Sequence, residues 1–304
     1  METNTIGRPV RVVSLSFKDR DFDEICGIVD AEGAKGADIL ALPEMWRGKG
    51  FPPEPIGGET VSRMASIAKK RQMYIVCPIY RLDNQKCYNC AVLLDRLGNT
   101  VCVYDKAFPY WEEFEAAPPV EPGADAPVYE ADFGRVGMAV CFDVNFPEVW
   151  KALADRGAEL VIWPSAYSAG TTLKAHAINH NYYIVSSTWK GDCIVYDITG
   201  NELLYEKRGP VNVSRITLDL DRGIYHENFN LEKRDKLLAA YPDRVMQELH
   251  MEREEWFVLR AKKPGFLARE LAGDFGLEEL RAYKDRSRAE IDRLRGWRFA
   301  EKTL

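Results

Sequence analysis

Short apolar runs that recur along the first 220 residues limit most strongly what this chain can fold into. Several of these runs alternate with segments of helical periodicity, which is typical of β-α-β units. Others pair as hairpins, among them 86–95 with 101–106 across the turn Leu97-Gly98-Asn99. This mixture predicts an α/β fold in which helices cover two packed sheets of mixed strand direction.

The predicted elements follow from this pattern. We expect strands at 9–17, 38–43, 73–82, 86–95, 101–106, 134–142, 159–165, 183–188 and 213–220, and a hairpin over 193–206. We expect helices at 19–36, 60–72, 148–158 and 173–182. Pro147 suits the first turn of the third helix, and Gly157 suits its end.

The character of the sequence changes at Leu231. From there the chain is highly charged and carries stripes of Leu, Val and Trp at helical spacing. We therefore predict a main domain at 1–225 and a helical C-terminal extension at 226–304. The extension is expected to pack on the main domain or to contact another subunit.

Composition disfavours several classes of function. The formal net charge of −6 argues against a nucleic-acid partner. No apolar run is long enough for a membrane helix, and polar residues precede the first strand where a signal peptide would be apolar. We expect a cytoplasmic protein. Its seven cysteines, an odd number, do not suggest a disulfide framework.

Two patterns that bind metals in other proteins are weak here. Cys87 and Cys90 form a single CxxC, with no second pair and no histidine pair nearby. His176 and His180 lie four residues apart on a predicted helix but lack a third ligand at suitable spacing. We expect structural roles for all four residues and no bound metal.

Three apolar runs end in residues of complementary chemistry. Glu44 follows LALP, Lys106 follows VCVYD, and Cys141 follows GMAV. In α/β proteins the loops after strands converge on substrates. A thiol nucleophile, a carboxylate base and an ammonium that stabilises an oxyanion are sufficient for acyl transfer. One such ending indicates only that a strand has reached solvent, but the three together favour a catalytic site.

The sequence resembles the nitrilase superfamily of carbon–nitrogen hydrolases. The Glu-Lys-Cys triad of that family matches LALPE (Glu44), YDK (Lys106) and GMAVCFDVNFPE (Cys141). The segments YNCAVLLDRLGN, PGADAPVYEADFGRVG and FPEVWKALADRGAELVIWPSA also resemble family segments. The likeness spans roughly residues 9–220, and the three motifs in this order are a specific signal.

The resemblance implies a four-layer αββα sandwich with the triad in a cleft at one end. It implies that Cys141 attacks the substrate carbon and forms an acyl-enzyme, while Glu44 transfers the protons. Lys106 and the backbone N–H of Phe142 would hold the oxyanion. The resemblance implies no cofactor, and it implies a homodimer or a larger homo-oligomer.

In the amidase branches of this family, a second glutamate between the lysine and the cysteine orients the substrate. The segment WEEFEAAPPVEPG offers Glu112, Glu113, Glu115 and Glu121. We select Glu115, which precedes the Pro-Gly turn. At least two of the other glutamates are expected to belong to a solvated acidic loop.

The residues after the nucleophile indicate the branch. Cys-Phe-Asp at 141–143 resembles amidase and carbamoyl-hydrolase members, whereas nitrilases more often carry Cys-Trp-Glu. The resemblance therefore favours a small amide as substrate. Tyr110, Trp111, Phe142 and Tyr167 are predicted to line its pocket.

Other functions stay open at this point. Nitrile hydrolysis, hydrolysis of N-carbamoyl amides and acyl transfer to an amine would all use the same triad. The alternative of another class is a catalytically idle scaffold or binding protein, which the intact triad disfavours.

Overall fold

The structure, a computed structural model, describes residues 6–48 and 50–298. The chain divides into two compact units. The larger is Val10–Leu218, and the smaller comprises the described residues of 1–9 and 219–304. The predicted boundary at 225/226 therefore falls inside a strand of the smaller unit, Gly223–His226.

The larger unit is built from strands, helices and one 3₁₀ turn over Cys141–Asn145. Its strands are β1 (Pro9–Phe17), β2 (Ile39–Ala41), β3 (Tyr74–Asp83), β4 (Lys86–Leu94), β5 (Thr100–Asp105), β6 (Val128–Ala131), β7 (Gly134–Met138), β8 (Leu160–Ser165), β9 (Tyr183–Thr188), β10 (Asp192–Tyr196), β11 (Glu202–Lys207) and β12 (Val211–Asp219). Its helices are α1 (Phe22–Ala34), α2 (Glu59–Arg71), α3 (Trp111–Phe114), α4 (Pro147–Asp155) and α5 (Thr171–His180). The strands and helices predicted for this part of the chain are all present, whereas β6 and α3 were not predicted.

The strands form two six-stranded sheets. The orders are β12-β1-β2-β3-β4-β5 and β11-β10-β9-β8-β7-β6. The β1-β2-β3 and β7-β8-β9 pairings are parallel, and the hairpin pairings β3-β4-β5 are antiparallel. The strands β2, β8 and β9 are buried along their whole length, as expected for parallel strands covered on both faces.

The two sheets pack face to face, and hydrogen bonds between β1 and β9 join them. The Ser14 hydroxyl donates to the carbonyl of Ser186 at 2.6 Å. The Thr188 amide donates to the Ser16 hydroxyl at 2.9 Å. These bonds fix the two strands side by side up to their carboxyl ends.

Helices cover the outer faces of both sheets. Ile25 of α1 and Met64 of α2 are fully buried in the core that β1–β4 contribute to. On the other side, Leu153 of α4 packs so closely on β7 that a Cβ at Gly137 would lie 2.8 Å from its Cδ2. The arrangement confirms the αββα sandwich.

Local sequence explains how these helices begin. The Asp21 carboxylate accepts a hydrogen bond from the backbone N–H of Glu24 at 2.9 Å, which caps the first turn of α1. Pro147 occupies the first turn of α4, as predicted.

The smaller unit corrects one prediction. It contains β13 (Gly223–His226), α6 (Leu231–Ala240), β14 (Val245–Met251), β15 (Trp256–Ala261), α7 (Ala268–Asp274) and α8 (Leu280–Arg295). The prediction of a helical extension is wrong for β14 and β15, which form an antiparallel sheet with β13.

The physical reason lies in local residue types that the charged composition obscured. The helix α6 ends at Ala240, since Pro242 disfavours a helical conformation at Tyr241. WFVLRA, which forms β15, is rich in aromatic and β-branched residues. Phe257 and Leu259 of this strand are buried in the core of the smaller unit.

The part played by this unit in an oligomer stays a prediction. Among the described residues, no helix combines the length and apolar character needed to cross a bilayer.

Candidate active site

The three predicted triad residues line one cavity of about 1020 Å³ in the larger unit. Glu44 lies just past β2, Lys106 directly follows β5, and Cys141 lies just past β7. Both β2 and β5 run in the same direction in the first sheet, because β4 is antiparallel to β3 and to β5. Their carboxyl ends therefore meet at one edge, opposite the end of β7 in the second sheet.

Lys106 is held between two carboxylates. Its Nζ lies 2.9 Å from Oε1 of Glu44 and 2.7 Å from Oε2 of Glu113. Its side chain is only 1% exposed. Burial lowers the pKa of Lys106, but the charges of Glu44 and Glu113 raise it above the ordinary value. The side chain is therefore a protonated ammonium at neutral pH.

The backbone of Lys106 is held as tightly as its side chain. Its N–H donates to the carbonyl of Asn89 at 2.8 Å, and its own carbonyl accepts from Gly123 at 2.9 Å. A Cβ at Gly123 would lie 2.1 Å from the carbonyl oxygen of Asp105, so only glycine fits this close approach. The Pro-Gly turn thus clamps the end of β5.

Asn89 bonds the same two carboxylates as Lys106. It lies inside β4, is fully buried, and donates from Nδ2 to Oε1 of Glu44 at 2.7 Å and to Oε1 of Glu113 at 2.6 Å. Both neighbours are acceptors, so the amide nitrogen must face them. Sequence reasoning missed Asn89. Its signal was a lone amide within the apolar run CYNCAVLL, since a buried amide needs partners.

Glu44 is also bonded to the second sheet. Its Oε2 accepts a hydrogen bond from the Ala166 amide at 2.7 Å, just past β8. Its backbone carbonyl accepts from the indole N–H of Trp189, just past β9. The carboxylate therefore has three donors from three different elements, which leaves it little freedom to rotate.

Cys141 lies in a strained turn at the end of its strand segment. Its φ of 47° is in the left-handed region, which a non-glycine residue rarely adopts. The Trp163 indole N–H donates to its carbonyl at 3.1 Å. Burial and the charge of Glu44 raise the pKa of the thiol, although the Lys106 ammonium lowers it. The resting thiol is therefore protonated, and it needs a base to react.

Asp143 joins the turn of the nucleophile to the loop after Lys106. Its carboxylate accepts from the Val140 amide at 2.8 Å, the Phe108 amide at 2.9 Å and the Tyr104 hydroxyl at 2.6 Å. Burial raises its pKa to about 6, against the hydrogen bonds that lower it. Asp143 therefore holds the loop after Lys106 against the turn of the nucleophile, since an aspartate side chain readily accepts hydrogen bonds from backbone amides.

The structure places Glu113, not Glu115, beside Lys106. Glu113 is buried at the N-terminal part of α3, and its side chain also accepts from the Tyr110 amide at 2.6 Å. Glu115 is exposed and accepts from the Trp111 indole at 2.9 Å. The selection of Glu115 was wrong because α3, which was not predicted, turns Glu113 inward and Glu115 outward.

Of the four aromatic residues predicted to line the pocket, three line the cavity and one does not. Tyr110, Phe142 and Tyr167 line the cavity, and the rings of Tyr110 and Phe142 meet edge to face at 5.4 Å. Burial raises the pKa of Tyr167 to about 12, so its hydroxyl stays protonated. Trp111 is 68% exposed and does not line the cavity. Its prediction as a substrate contact was wrong.

The histidine and cysteine pairs that resemble metal-binding patterns occupy structural positions. The ring of His176 stacks on Trp150 at 4.3 Å, and its Nε2 lies 2.9 Å from the Val144 carbonyl oxygen. Cys87 and Cys90 occupy β4 as unbonded thiols. Within 6–48 and 50–298, no three side chains of metal-binding type form a cluster that could hold an ion.

Comparison with known proteins identifies the family. The carbon–nitrogen hydrolase family model matches residues 21–221. The chain belongs to the carbon–nitrogen hydrolase family. That span includes Glu44, Lys106 and Cys141, so the match covers the reaction centre.

Individual relatives of this hydrolase are amidases by name. The human omega-amidase NIT2 is 24% identical over 271 residues, which cover 82% of this chain and 95% of the relative. The human deaminated glutathione amidase is 28% identical over 211 residues, covering 60% of this chain and 64% of the relative. These names describe the relatives, and the identities to this chain are 24% and 28%.

Solved structures agree on the fold. An amidase from Nesterenkonia sp. superposes with a TM-score of 0.60 at 24% identity, over 71% of this chain and 94% of that one. Nit3 from Saccharomyces cerevisiae, a member of the nitrilase superfamily, gives a TM-score of 0.60 at 16% identity, over 71% and 92%.

Proposed function

We propose that this carbon–nitrogen hydrolase cleaves a small non-peptide amide to a carboxylic acid and ammonia or an amine, through a thioester on Cys141. One observation carries the proposal. A single cavity brings together a thiol, a buried ammonium and two carboxylates, with Lys106 within hydrogen-bond distance of both Glu44 and Glu113. These are the groups that covalent acyl transfer requires.

In the first half-reaction, Glu44 takes the proton of the Cys141 thiol while the sulfur attacks the carbonyl carbon of the amide. The tetrahedral intermediate carries a negative oxygen, which the Lys106 ammonium and the Phe142 backbone N–H stabilise. The carbon–nitrogen bond then breaks, and Glu44 returns its proton to the leaving nitrogen. Ammonia or an amine departs, and the acyl group remains on the sulfur.

In the second half-reaction, Glu44 takes a proton from a water molecule, whose oxygen attacks the thioester. The same two groups hold the second oxyanion. The carbon–sulfur bond breaks, Glu44 returns the proton to the sulfur, and the carboxylic acid leaves. One water is consumed per amide, and the enzyme is restored.

Glu113 takes the role that the sequence suggested for Glu115. Its Oε2 accepts from Lys106 and its Oε1 accepts from Asn89, so it fixes the ammonium toward the oxyanion. It also lines the cavity, where a carboxylate oxygen can accept from the N–H of the amide. Tyr110, Phe142 and Tyr167 form walls for the acyl group. The amidase names of the relatives at 24–28% identity support an amide over a nitrile.

The test measures ammonia release and intact mass on exposure to simple amides, N-carbamoyl compounds and nitriles. Wild type should release ammonia from an amide and transiently gain the mass of one acyl group. Cys141→Ala should do neither. Cys87→Ala is the matched control, because Cys87 lines the same cavity but lies in β4, away from the turn of the nucleophile. Turnover by Cys141→Ala would overturn the proposed mechanism.

A second pair of variants tests the carboxylate. Glu113→Gln should lower kcat/KM by about 100-fold or more, because a lost electrostatic partner of the transition state has about that effect. Glu115→Gln keeps an acceptor for the Trp111 indole and should stay within about two-fold of wild type. Equal losses in both variants would contradict the assignment of Glu113.

Two predictions from the sequence complete the proposal. We propose that the enzyme works as a homodimer or a larger homo-oligomer, and that it is cytoplasmic. Sedimentation velocity of the full chain tests the first, and a monomer across the micromolar range would contradict it. Fractionation of cells that express the native chain tests the second.

A further inference from the structure

A second cavity opens on the second sheet, with a volume of about 190 Å³. It has room for about six water molecules at ~30 Å³ each. Its lining residues are all different from those of the catalytic cavity, and nothing in the proposed mechanism uses them. We call it the hydroxyl cavity, because its wall includes Ser168, Ser186, Thr188, Asp192, Ile194 and Tyr205.

Three adjacent strands supply one side of the hydroxyl cavity. Ile194 of β10 lies opposite Tyr205 of β11 in the antiparallel ladder. The Ile194 amide donates to the hydroxyl of Ser186, on β9, at 2.8 Å. Asp192 lies two residues before Ile194 on the same strand, so the two side chains point to the same face of the sheet. Among the described residues that line the cavity, only Asp192 carries a charge.

The carboxylate of Asp192 is held by two hydroxyl groups. Its side chain is buried, and its Oδ2 accepts from the Ser168 hydroxyl at 2.6 Å, while its Oδ1 accepts from the Thr188 hydroxyl. Each hydroxyl has a single proton, so these two oxygens can only accept hydrogen bonds from a ligand. A carboxylate has about four acceptor positions, and the two hydroxyls leave some of them open. This part of the wall therefore requires a ligand that donates.

The charge of Asp192 favours a cation. A buried carboxylate is usually paired with a positive group, because burial of a lone charge is costly. None of the ion pairs within 6–48 and 50–298 includes Asp192. The ring of Tyr205, which is 56% exposed, adds an aromatic face on which a cation can lie.

Two features near the cavity favour the opposite sign. Lys207 lies opposite Asp192 in the ladder, although it is exposed and forms no ion pair with it. The N-terminus of α5 begins at Gly170, which also lines the cavity, and that end of a helix attracts anions. The test must therefore compare ligands of both signs.

We propose that the hydroxyl cavity binds a small primary alkylammonium ion. The ammonium donates to the Asp192 carboxylate and to the hydroxyl oxygens of Ser168 and Thr188. A primary ammonium suits this wall, since it has three donors and no acceptor. Its short alkyl chain lies against Ile194 and the ring of Tyr205. This inference concerns a site separate from the reaction centre and does not depend on the hydrolysis of an amide.

Calorimetric titration of the full chain, with no amide present, tests the proposal. The ligands are propylammonium, propanol, propionate and tetramethylammonium. Propylammonium should bind most tightly. Propanol should bind about ten-fold more weakly or worse, because it lacks the charge that strengthens a hydrogen bond to a carboxylate. Tetramethylammonium keeps the charge but has no N–H to donate, so it should also bind more weakly.

Variants locate the binding site. Asp192→Asn keeps the shape of the side chain and should weaken propylammonium binding about ten-fold or more, with little effect on propanol. Tyr205→Leu should weaken it about two- to five-fold, which is the contribution of an exposed cation–π contact. Leu203→Ala, an exposed position on the same strand outside the cavity, is the matched control and should change nothing. Lys207→Gln should strengthen binding, because it removes a competing positive charge.

Several results would overturn the proposal. Propanol or propionate that binds as tightly as propylammonium would do so, and so would weaker binding of propylammonium by Lys207→Gln. An amine could instead occupy the catalytic cavity, which Glu112 lines. Loss of affinity in Glu112→Gln but not in Asp192→Asn would show this and would also overturn the proposal.

The test stays decisive if one variant fails to fold. Urea unfolding shows whether Asp192→Asn is folded, and if it is not, Tyr205→Leu and Lys207→Gln decide, because both positions are exposed. Failure of the proposed hydrolysis would leave these titrations unaffected. Failure of the titrations would likewise leave the proposed function standing.

Discussion

Replacing Asn89 with leucine isolates the residue that holds the two carboxylates together. Leucine branches at the same side-chain carbon as asparagine, although it is bulkier, and it donates no hydrogen bond. The change removes the 2.7 Å bond to Glu44 and the 2.6 Å bond to Glu113 and leaves the Lys106 ammonium in place. The two carboxylates then have only Lys106 between them, and each gains freedom to turn.

The magnitude follows from the contacts. Each hydrogen bond to a charged group contributes about 1.5–3 kcal/mol, so two of them contribute about 3–6 kcal/mol. The Oδ1 atom of Asn89 has no hydrogen-bond partner among the described residues, and its removal returns about 1–3 kcal/mol. We expect the free energy of unfolding to fall by about 2–3 kcal/mol. A shift of about 1 Å in Glu44 would lower kcat/KM by about 100-fold.

Urea unfolding and amide turnover measure the two effects separately. Asn89→Asp is the informative companion, because it has the same shape but places a third carboxyl group beside the two glutamates. At neutral pH its activity should be below that of Asn89→Leu, and it should recover partly as the pH falls and the cluster gains a proton. An Asn89→Leu variant that unfolds more easily but turns over amide at the wild-type rate would refute the positioning role.

Two further predictions concern the backbone and the buried acid. Gly123→Ala should lower both stability, by about 1–3 kcal/mol, and turnover, because the new Cβ would displace the end of β5 that carries Lys106. Gly27→Ala, at a helical site with nothing within 4 Å, should instead raise the unfolding temperature slightly, and a fall there would contradict the packing argument. Burial raises the pKa of Asp143 from 3.8 to about 6, so the stability it contributes is full below pH 4 and is lost as the pH rises through 6. The unfolding free energy of wild type minus that of Asp143→Asn should therefore fall by about 3 kcal/mol between pH 3 and pH 7, and a flat difference by chemical denaturation would refute the assignment.

The sequence predicted the layers of the fold and the triad because both depend on local patterns. An apolar run that ends in Cys141 can be read from neighbouring residues, and so can the runs that end in Glu44 and Lys106. The strand order places these ends together, and the β-α-β and hairpin patterns largely determine that order.

The remainder of the site depends on contacts between distant residues. Asn89 acts on Glu44 from 45 positions away, and nothing near it in sequence indicates that partner. Choosing between Glu113 and Glu115 required the short helix α3, since residues two apart on a helix face different directions. The strands β14 and β15 were missed because neither alternates between buried and exposed residues, and because the surrounding sequence is highly charged.

The serine and threonine bonds between β1 and β9 have a consequence for redesign and for divergence. They fix the stagger of the two sheets from within, close to the ends that carry the reacting groups. The segments that form the outer walls, such as Phe51–Pro53 and Ala116–Pro118, contribute to the cavity but not to that alignment. Loops of other lengths and compositions can therefore be exchanged at the mouth while the reaction centre keeps its geometry. A chain built in this way can acquire a new acyl specificity while its reacting groups and their geometry stay the same.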